Sequence, residues 1–204
     1  MTVLVVGNGE SRKNLDLNKF KLDYTTVGCN ALHRDVEVDH LVCCDRRMAE
    51  EAVISDNTKN TSIYVRNDWY NYFRKIKKDK RINRVPDLPY EGNLKQDNPV
   101  HWGSGPYAML LAASLSDSIM ILGFDLYSKN GKVNNLYKDT KNYSSKKNNS
   151  VDYSFWVHQI GKVFQHNQNK SFLIFNEENW ELPRQWKFPN VSFEVLATKN
   201  LTFA

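Results

Sequence analysis

The residues Thr2-Val3-Leu4-Val5-Val6-Gly7-Asn8-Gly9-Glu10-Ser11 decide the fold class of this chain. An apolar run rich in β-branched residues goes without polar interruption into a glycine turn. That is the pattern of a strand covered on both faces, the habit of parallel sheets. Glycines at 7 and 9 let the backbone approach a neighbour or a ligand closely, and amides at the start of a following helix can bind an anion. Taken alone, Gly7-Asn8-Gly9 serves equally well as a tight turn or as a phosphate-binding loop. It is not a dinucleotide fingerprint. The third glycine would fall at Arg12, and the next apolar run ends in Cys29-Asn30 where an NAD enzyme places an acidic residue for the ribose.

Similar apolar runs recur at about 25–29, at 40–44, 62–65, 118–122 and 171–175. Between them lie helix-length segments. Trp69, Tyr72, Phe73 and Ile76 repeat at helical spacing, residues 107–115 are rich in Ala, Leu and Met, and Tyr153, Trp156, Val157, Ile160, Val163 and Phe164 form one apolar stripe. Strands alternating with helices predict an α/β class, Rossmann-like, with a mostly parallel sheet and helices on both faces. We expect a single nucleotide-binding domain over 1–204, with a lid insertion at about 128–150. The Pro-rich region 79–100 is expected to be a second long loop.

Composition narrows the partners. The 204 residues are 41% hydrophobic, 12% aromatic and 25% charged, which excludes disorder, collagen-like repeats and a disulfide-stapled miniature. No run approaches the roughly 18 apolar residues of a membrane span, and no basic leader precedes the first apolar run, so the expectation is a cytoplasmic protein. The net charge of +5 is uneven: residues 66–84 carry eight Lys or Arg against two Asp, and residues 129–147 carry six against one. No nucleic-acid motif accompanies these segments, so nucleic acid is not expected, whereas a phosphorylated small molecule or an acidic glycan fits them. Cys29, Cys43 and Cys44 have no metal-ligand spacing and read as buried free thiols, with no metal site expected. A homo-oligomer is compatible with all of this.

Two further motifs carry chemistry. Gly103-Ser104-Gly105-Pro106-Tyr107 opens an apolar helix; Ser104 can cap it, Pro106 suits the first turn, and no Asp or Glu occupies that turn, so its amides remain open to an anion. Gly123-Phe124-Asp125-Leu126-Tyr127 follows the run 118–122. In a parallel sheet Asn8, Asn30, Asp45 and Asp125 would all lie at the carboxyl edge, where open α/β sheets bind ligands.

Gly7-Asn8-Gly9 with Ser11, Cys29-Asn30, Ser104-Gly105 with Tyr107, Gly123-Phe124-Asp125 with Tyr127, and Asn130-Gly131 with Tyr137-Lys138-Asp139-Thr140 together resemble the bacterial sialyltransferases that build lipooligosaccharide, and their phage and bacterial relatives. The matching features cover most of residues 1–175. The resemblance implies a metal-independent, inverting glycosyltransferase with a CMP-sugar donor lying across the strand ends as co-substrate, and a glycan as acceptor. It implies that Gly7, Asn8, Gly9, Ser11, Asn30, Asp45, Ser104, Gly105, Gly123 and Asp125 form the nucleotide site. Tyr127 and Tyr137 would be the phosphate-binding tyrosines, stabilising charge on the departing phosphate.

The chain also departs from that family. Its general-base histidine has no counterpart in Lys146-Lys147-Asn148-Asn149-Ser150-Val151-Asp152, and the family's third-strand asparagine is replaced by Asp45. His158 falls off the apolar stripe and reads as solvated. His101, three residues before Ser104, is the candidate catalytic base or a phosphate ligand. Two alternatives stay open. One is a pterin diphosphokinase-like enzyme in which Asp45 and Asp125 hold Mg²⁺ against ATP; the other is a nucleotide-binding relative without catalysis.

Overall fold

The computed structural model describes residues 1–127 and 130–196, leaving out the side chain of Ile76. Eight strands run through the described residues: β1 (Thr2–Val6), β2 (Thr25–Cys29), β3 (His40–Val42), β4 (Ser62–Val65), β5 (Ile82–Arg84), β6 (Ser118–Leu122), β7 (Ser171–Asn176) and β8 (Val191–Val195). They form one sheet in the order β5-β4-β3-β2-β1-β6-β7-β8, and every pairing is parallel. The chain builds outward from β1 to β5, then returns to place β6 against the other side of β1. Val6 therefore pairs with Gly28 on one side and Leu122 on the other. The carboxyl ends of β1 and β6 are the point where the winding reverses, and such a point leaves a crevice for ligands.

Four α-helices accompany the sheet among the described residues: α1 (Arg46–Ile54), α2 (Asn67–Asn71, continued by a π-helical turn to Ile76), α3 (Ser104–Leu115) and α4 (Ser154–His166). Alternate residues of the strands feed two cores. Val3, Val5, Ile119 and Ile121 pack with α3 and α4 on one face, while Leu4, Val6 and Leu122 pack with α1 and Phe73 on the other. Helix α3 crosses β1, β2 and β3 and also meets α4. Nine of its twelve residues are buried, which accounts for its apolar character all round. The Rossmann-like α/β architecture expected from the apolar runs is the one observed.

Some local expectations need correction. The third strand stops at Val42, two residues short of the expected 40–44. Cys43 and Cys44 still face opposite cores, and all three cysteines are buried and unbridged. The region 79–100 is not loop throughout, since β5 lies within it, and β8 had no counterpart in the sequence reading. Both are edge strands, β5 three residues long and β8 with exposed positions, so neither carries the continuous apolar run of a central strand.

Of the expected lid, residues 128 and 129 lie outside the described residues, as do 197–204 of the expected domain. Residues 130–150 hold no helix or strand, only a single bridge between Lys132 and Asn149. They are fastened to the domain at several points. Leu136 N–H bonds the carbonyl of Asn8 at 2.9 Å, Asn134 accepts Glu10 N–H at 3.1 Å, and Arg34 donates to Thr140 and to the carbonyl of Lys141.

Candidate functional site

At the switch point the loops after β1 and β6 run side by side. Gly7 N–H bonds the carbonyl of Leu122 at 2.7 Å and Gly9 N–H that of Gly123 at 2.9 Å. A Cβ on Gly7 would lie 2.3 Å from the carbonyl oxygen of Gly123, and Gly123 itself holds φ +70°, so side chains are excluded from both positions. The ring of Phe124 wedges between them and Gly105, standing 3.1 Å from where a Gly105 Cβ would be. Three glycine motifs distant in sequence are thus packed on one another. The tight-turn reading and the ligand-loop reading of Gly7-Asn8-Gly9 are both served by the same close approach.

These loops form one wall of a cavity of about 770 Å³. Of the nucleotide-site residues expected from the sequence, Gly7, Asn8, Gly9, Asn30, Asp45, Ser104, Gly105, Gly123 and Asp125 all line it, and so does His101. The polar network around it is dense. Asn30, at φ +50°, accepts the hydroxyl of Ser104 at 2.7 Å, and the same hydroxyl accepts Cys44 N–H at 2.9 Å. Asn8 donates to the carbonyl of Cys29 at 3.1 Å and to the Tyr143 hydroxyl at 3.2 Å, while its buried Oδ1 has no hydrogen-bond partner among the described residues. A buried acceptor without a partner is rare and marks a place where a ligand or ordered water belongs.

Ser104 does not cap α3. Gly103 is the capping residue and makes no side-chain bond, while Ser104 spends its hydroxyl tying β2 to β3. The consequence for the site is favourable, because the first turn carries neither a capping oxygen nor an acid, and its leading amides have no acceptor within the helix. Across the cavity Arg46, Arg47 and Arg66 supply positive charge. Arg46 pairs with Glu50 and lies 5.6 Å over Trp69, Arg66 pairs with Asp68, and Arg47 has no acidic partner among the described residues. Asp45 is exposed, and one of its oxygens caps α1 through Arg47 N–H at 2.8 Å. Arg46 and Arg47 open the helix after β3 and Arg66 directly follows β4, which is the signal by which they could have been found.

No protein-family model, curated protein or solved structure matches the chain. The site therefore has to be judged on its own geometry.

Four expected residues are placed elsewhere or otherwise engaged. Ser11 gives both its N–H and its hydroxyl to Asp125, and the Asp125 carboxylate also accepts from Asn134 at 3.2 Å and Asn176 at 3.4 Å. Asp125 thus anchors the turn after β1 and the lid, and both its oxygens are engaged there. Tyr137 lies outside the cavity: its buried hydroxyl accepts from Arg12 at 2.8 Å and donates to Asp35 at 2.6 Å, with burial pushing its pKa up. The lid tyrosine that reaches the first loop is Tyr143, not Tyr137. Tyr127 turns to a second cavity, where its hydroxyl accepts Glu181 N–H at 3.3 Å.

The histidines also divide. His101 is exposed at the rim of the main cavity with no side-chain bond among the described residues. His158, expected to be solvated, instead meets the buried Asp97 at 2.7 Å. It stands about 200° around α4 from Trp156, which does line the main cavity, so it cannot serve there as a base. Burial pulls the Asp97 carboxyl upward, but bonds from His158, Leu94 N–H and Tyr90 outweigh it and hold its pKa below the usual value. Burial raises Cys29 and Cys44 on the cavity floor to about 12, which keeps them protonated and inert. Among the described residues no three His, Cys, Asp or Glu side chains are grouped as a metal would need.

Proposed function

We propose that the chain is a nucleotide-sugar-dependent glycosyltransferase that binds a CMP-type donor in the switch-point cavity. The observation that carries this reading is the convergence of Gly7-Asn8-Gly9, Gly123 and the uncapped first turn of α3 on one cavity with an arginine-rich far wall. Backbone amides without acceptors and a positive helix end suit a phosphate. The unpartnered Oδ1 of Asn8 suits a donor group such as a ribose hydroxyl. Arg46 and Arg47 offset the charge of Asp45 on the side where the sugar would extend.

The chemistry assigned here is displacement of the nucleotide by an acceptor hydroxyl, with a glycan acceptor. Among the described residues His101 is the one histidine on the cavity, and it takes the role of base. No tyrosine is assigned to the leaving phosphate, because Tyr127 and Tyr137 face away. The diphosphokinase alternative loses support, since the Asp125 carboxylate is already engaged by Ser11, Asn134 and Asn176. The non-catalytic alternative is favoured by one feature: nothing orients the His101 ring, and a general base is normally held by a second group.

A thermal-shift panel of CMP, UMP, GDP and ATP, with and without Mg²⁺, tests the binding step. CMP at about 100 times its dissociation constant should add about 2.7 kcal/mol to stability without Mg²⁺; no stabilisation by CMP overturns the reading. Turnover from CMP-sugars then separates enzyme from binder. His101→Ala should lower kcat by about 10² to 10⁴ and spare CMP affinity. CMP bound with no transfer from any CMP-sugar would leave the non-catalytic reading.

A further inference from the structure

Helix α4 separates two cavities. Trp156 and Ile160 face the switch-point cavity; on its other side, Val157, His158 and Gly161 line a second cavity of about 580 Å³, closed by the connection that follows β7. His158 lines this second cavity and is held from behind by Asp97. Asp97 is buried; one oxygen accepts Leu94 N–H at 3.0 Å, and the other accepts the Tyr90 hydroxyl at 3.0 Å and His158 Nε2 at 2.7 Å. A carboxylate fixed against Nε2 places a ring proton on that nitrogen, so in the neutral ring Nδ1 is the acceptor. No described residue donates to Nδ1. The ring is 24% exposed and lines the cavity.

Other groups around it also have unused capacity. The Tyr127 hydroxyl accepts Glu181 N–H and keeps its proton to donate. The Glu181 carboxylate and the Arg184 guanidinium, both on the cavity, have no partner among the described residues. Tyr153 is 40% exposed with its ring centroid 5.5 Å from that of Tyr127, and Phe188 adds a third aromatic. Lys162 donates to Gln165 and lies over the Tyr90 ring but keeps its charge, so Arg184 and Lys162 are balanced by Glu181 and by the Asp97 carboxylate behind His158. The hydroxyl one turn before His158, Ser154, bonds Asp152, and the pair therefore has no nucleophile to activate. What remains is a set of donors and acceptors beside aromatic faces, without a net charge to select an ion. A ligand with many hydroxyls and one apolar face meets those terms.

We propose that the second cavity binds a neutral saccharide, with His158 Nδ1 and the Glu181 carboxylate accepting sugar hydroxyls, Tyr127 and Arg184 donating to sugar oxygens, and the Tyr127 and Tyr153 rings covering an apolar sugar face. This site does not depend on a nucleotide in the first cavity. The test is NMR titration of the ¹⁵N-labelled full chain with maltotriose, cellotriose and lactose, each to about 20 mM, a range suited to millimolar dissociation constants. Amide shifts should concentrate at Tyr127, Tyr153, Glu181 and Arg184 for at least one probe, with a shift of His158 Nδ1 in the ring ¹⁵N spectrum. Glu181→Gln and Tyr153→Ala, both at exposed positions, should each weaken that binding about fivefold or more, as the loss of a charged hydrogen bond or an aromatic contact implies. CMP thermal shifts should be unchanged in both variants. The proposal is overturned if none of the three probes shifts these residues, if the shifts fall on Asn8, Asn30 and Gly105 instead, or if both variants bind the probe as the parent does.

Discussion

The cavities on the two sides of α4 are made of different materials. The switch-point cavity has one wall of backbone, opposite its arginines: Gly7 and Gly9 are bonded to the loop after β6, Asn30 sits in the left-handed region, and the first turn of α3 presents its amides. The second is made of side chains drawn from α4, the lid's leading edge and the chain after β7. Backbone sites depend on close approach and tolerate no added atoms; side-chain sites can be pared away one contact at a time. The cost of mutation should therefore differ sharply between them.

The largest effect is expected at Gly7. Its Cβ would meet the Gly123 carbonyl at 2.3 Å, backbone against backbone, with no flexible group to give way. Gly7→Ala should lose about 3 kcal/mol or more of stability in urea unfolding, in the range of the severe steric class. A loss under about 1 kcal/mol would break the contrast.

Next comes Arg12, which joins the switch-point loop to the lid. Its buried guanidinium donates to the Gly7 carbonyl at 2.6 Å, to the Tyr137 hydroxyl at 2.8 Å and to Asp35. Arg12→Ala strands the first two, and about 2 to 3 kcal/mol of stability should be lost. Tyr137→Phe keeps the charge pair and should cost about 1 kcal/mol. Equal losses in the two variants would place the weight on the tyrosine rather than on the arginine.

A smaller effect is expected at Asn8. Asn8→Ala removes the unpartnered acceptor and the bond to the Cys29 carbonyl, and it should weaken CMP binding about tenfold by calorimetry, near 1.4 kcal/mol. Unchanged CMP affinity would separate the nucleotide from this loop.

The smallest effect concerns acid stability at the Asp97–His158 pair. The folded-state pKa of Asp97 lies below its ordinary 3.8, so its contribution is present above that value and is lost as pH falls through the folded one. Asp97→Asn should be less stable than the parent at pH 7, and the difference should shrink as pH falls from 3.8 through the lower folded-state value, where both chains carry an uncharged group. A constant difference from pH 7 to pH 2 would show that packing, not charge, holds the pair together.

The main cavity was legible in the sequence for a physical reason. Strands buried on both faces must be apolar along their whole length, so β1, β2, β4, β6 and β7 stand out, and the residue after each strand must lie at the ligand-binding edge. Gly7, Asn8, Asn30, Asp45 and Gly123 follow from that rule before any contact is known, and Ser104 follows from its place at the start of α3. His101 follows from its place just ahead of α3.

Tertiary structure alone decided the rest. That Gly7 abuts Gly123 depends on the chain returning beside β1 after β5, a consequence of strand order that no local pattern records. The direction of Tyr127, the capture of Tyr137 by Arg12 and Asp35, and the pairing of His158 with Asp97 each join residues more than 50 positions apart. Sequence periodicity states whether a side chain is buried, because burial depends on its own element. Which partner it meets depends on how distant elements pack, and here that packing took both expected phosphate tyrosines away from the cavity and turned a histidine read as solvated into the acceptor of a second site.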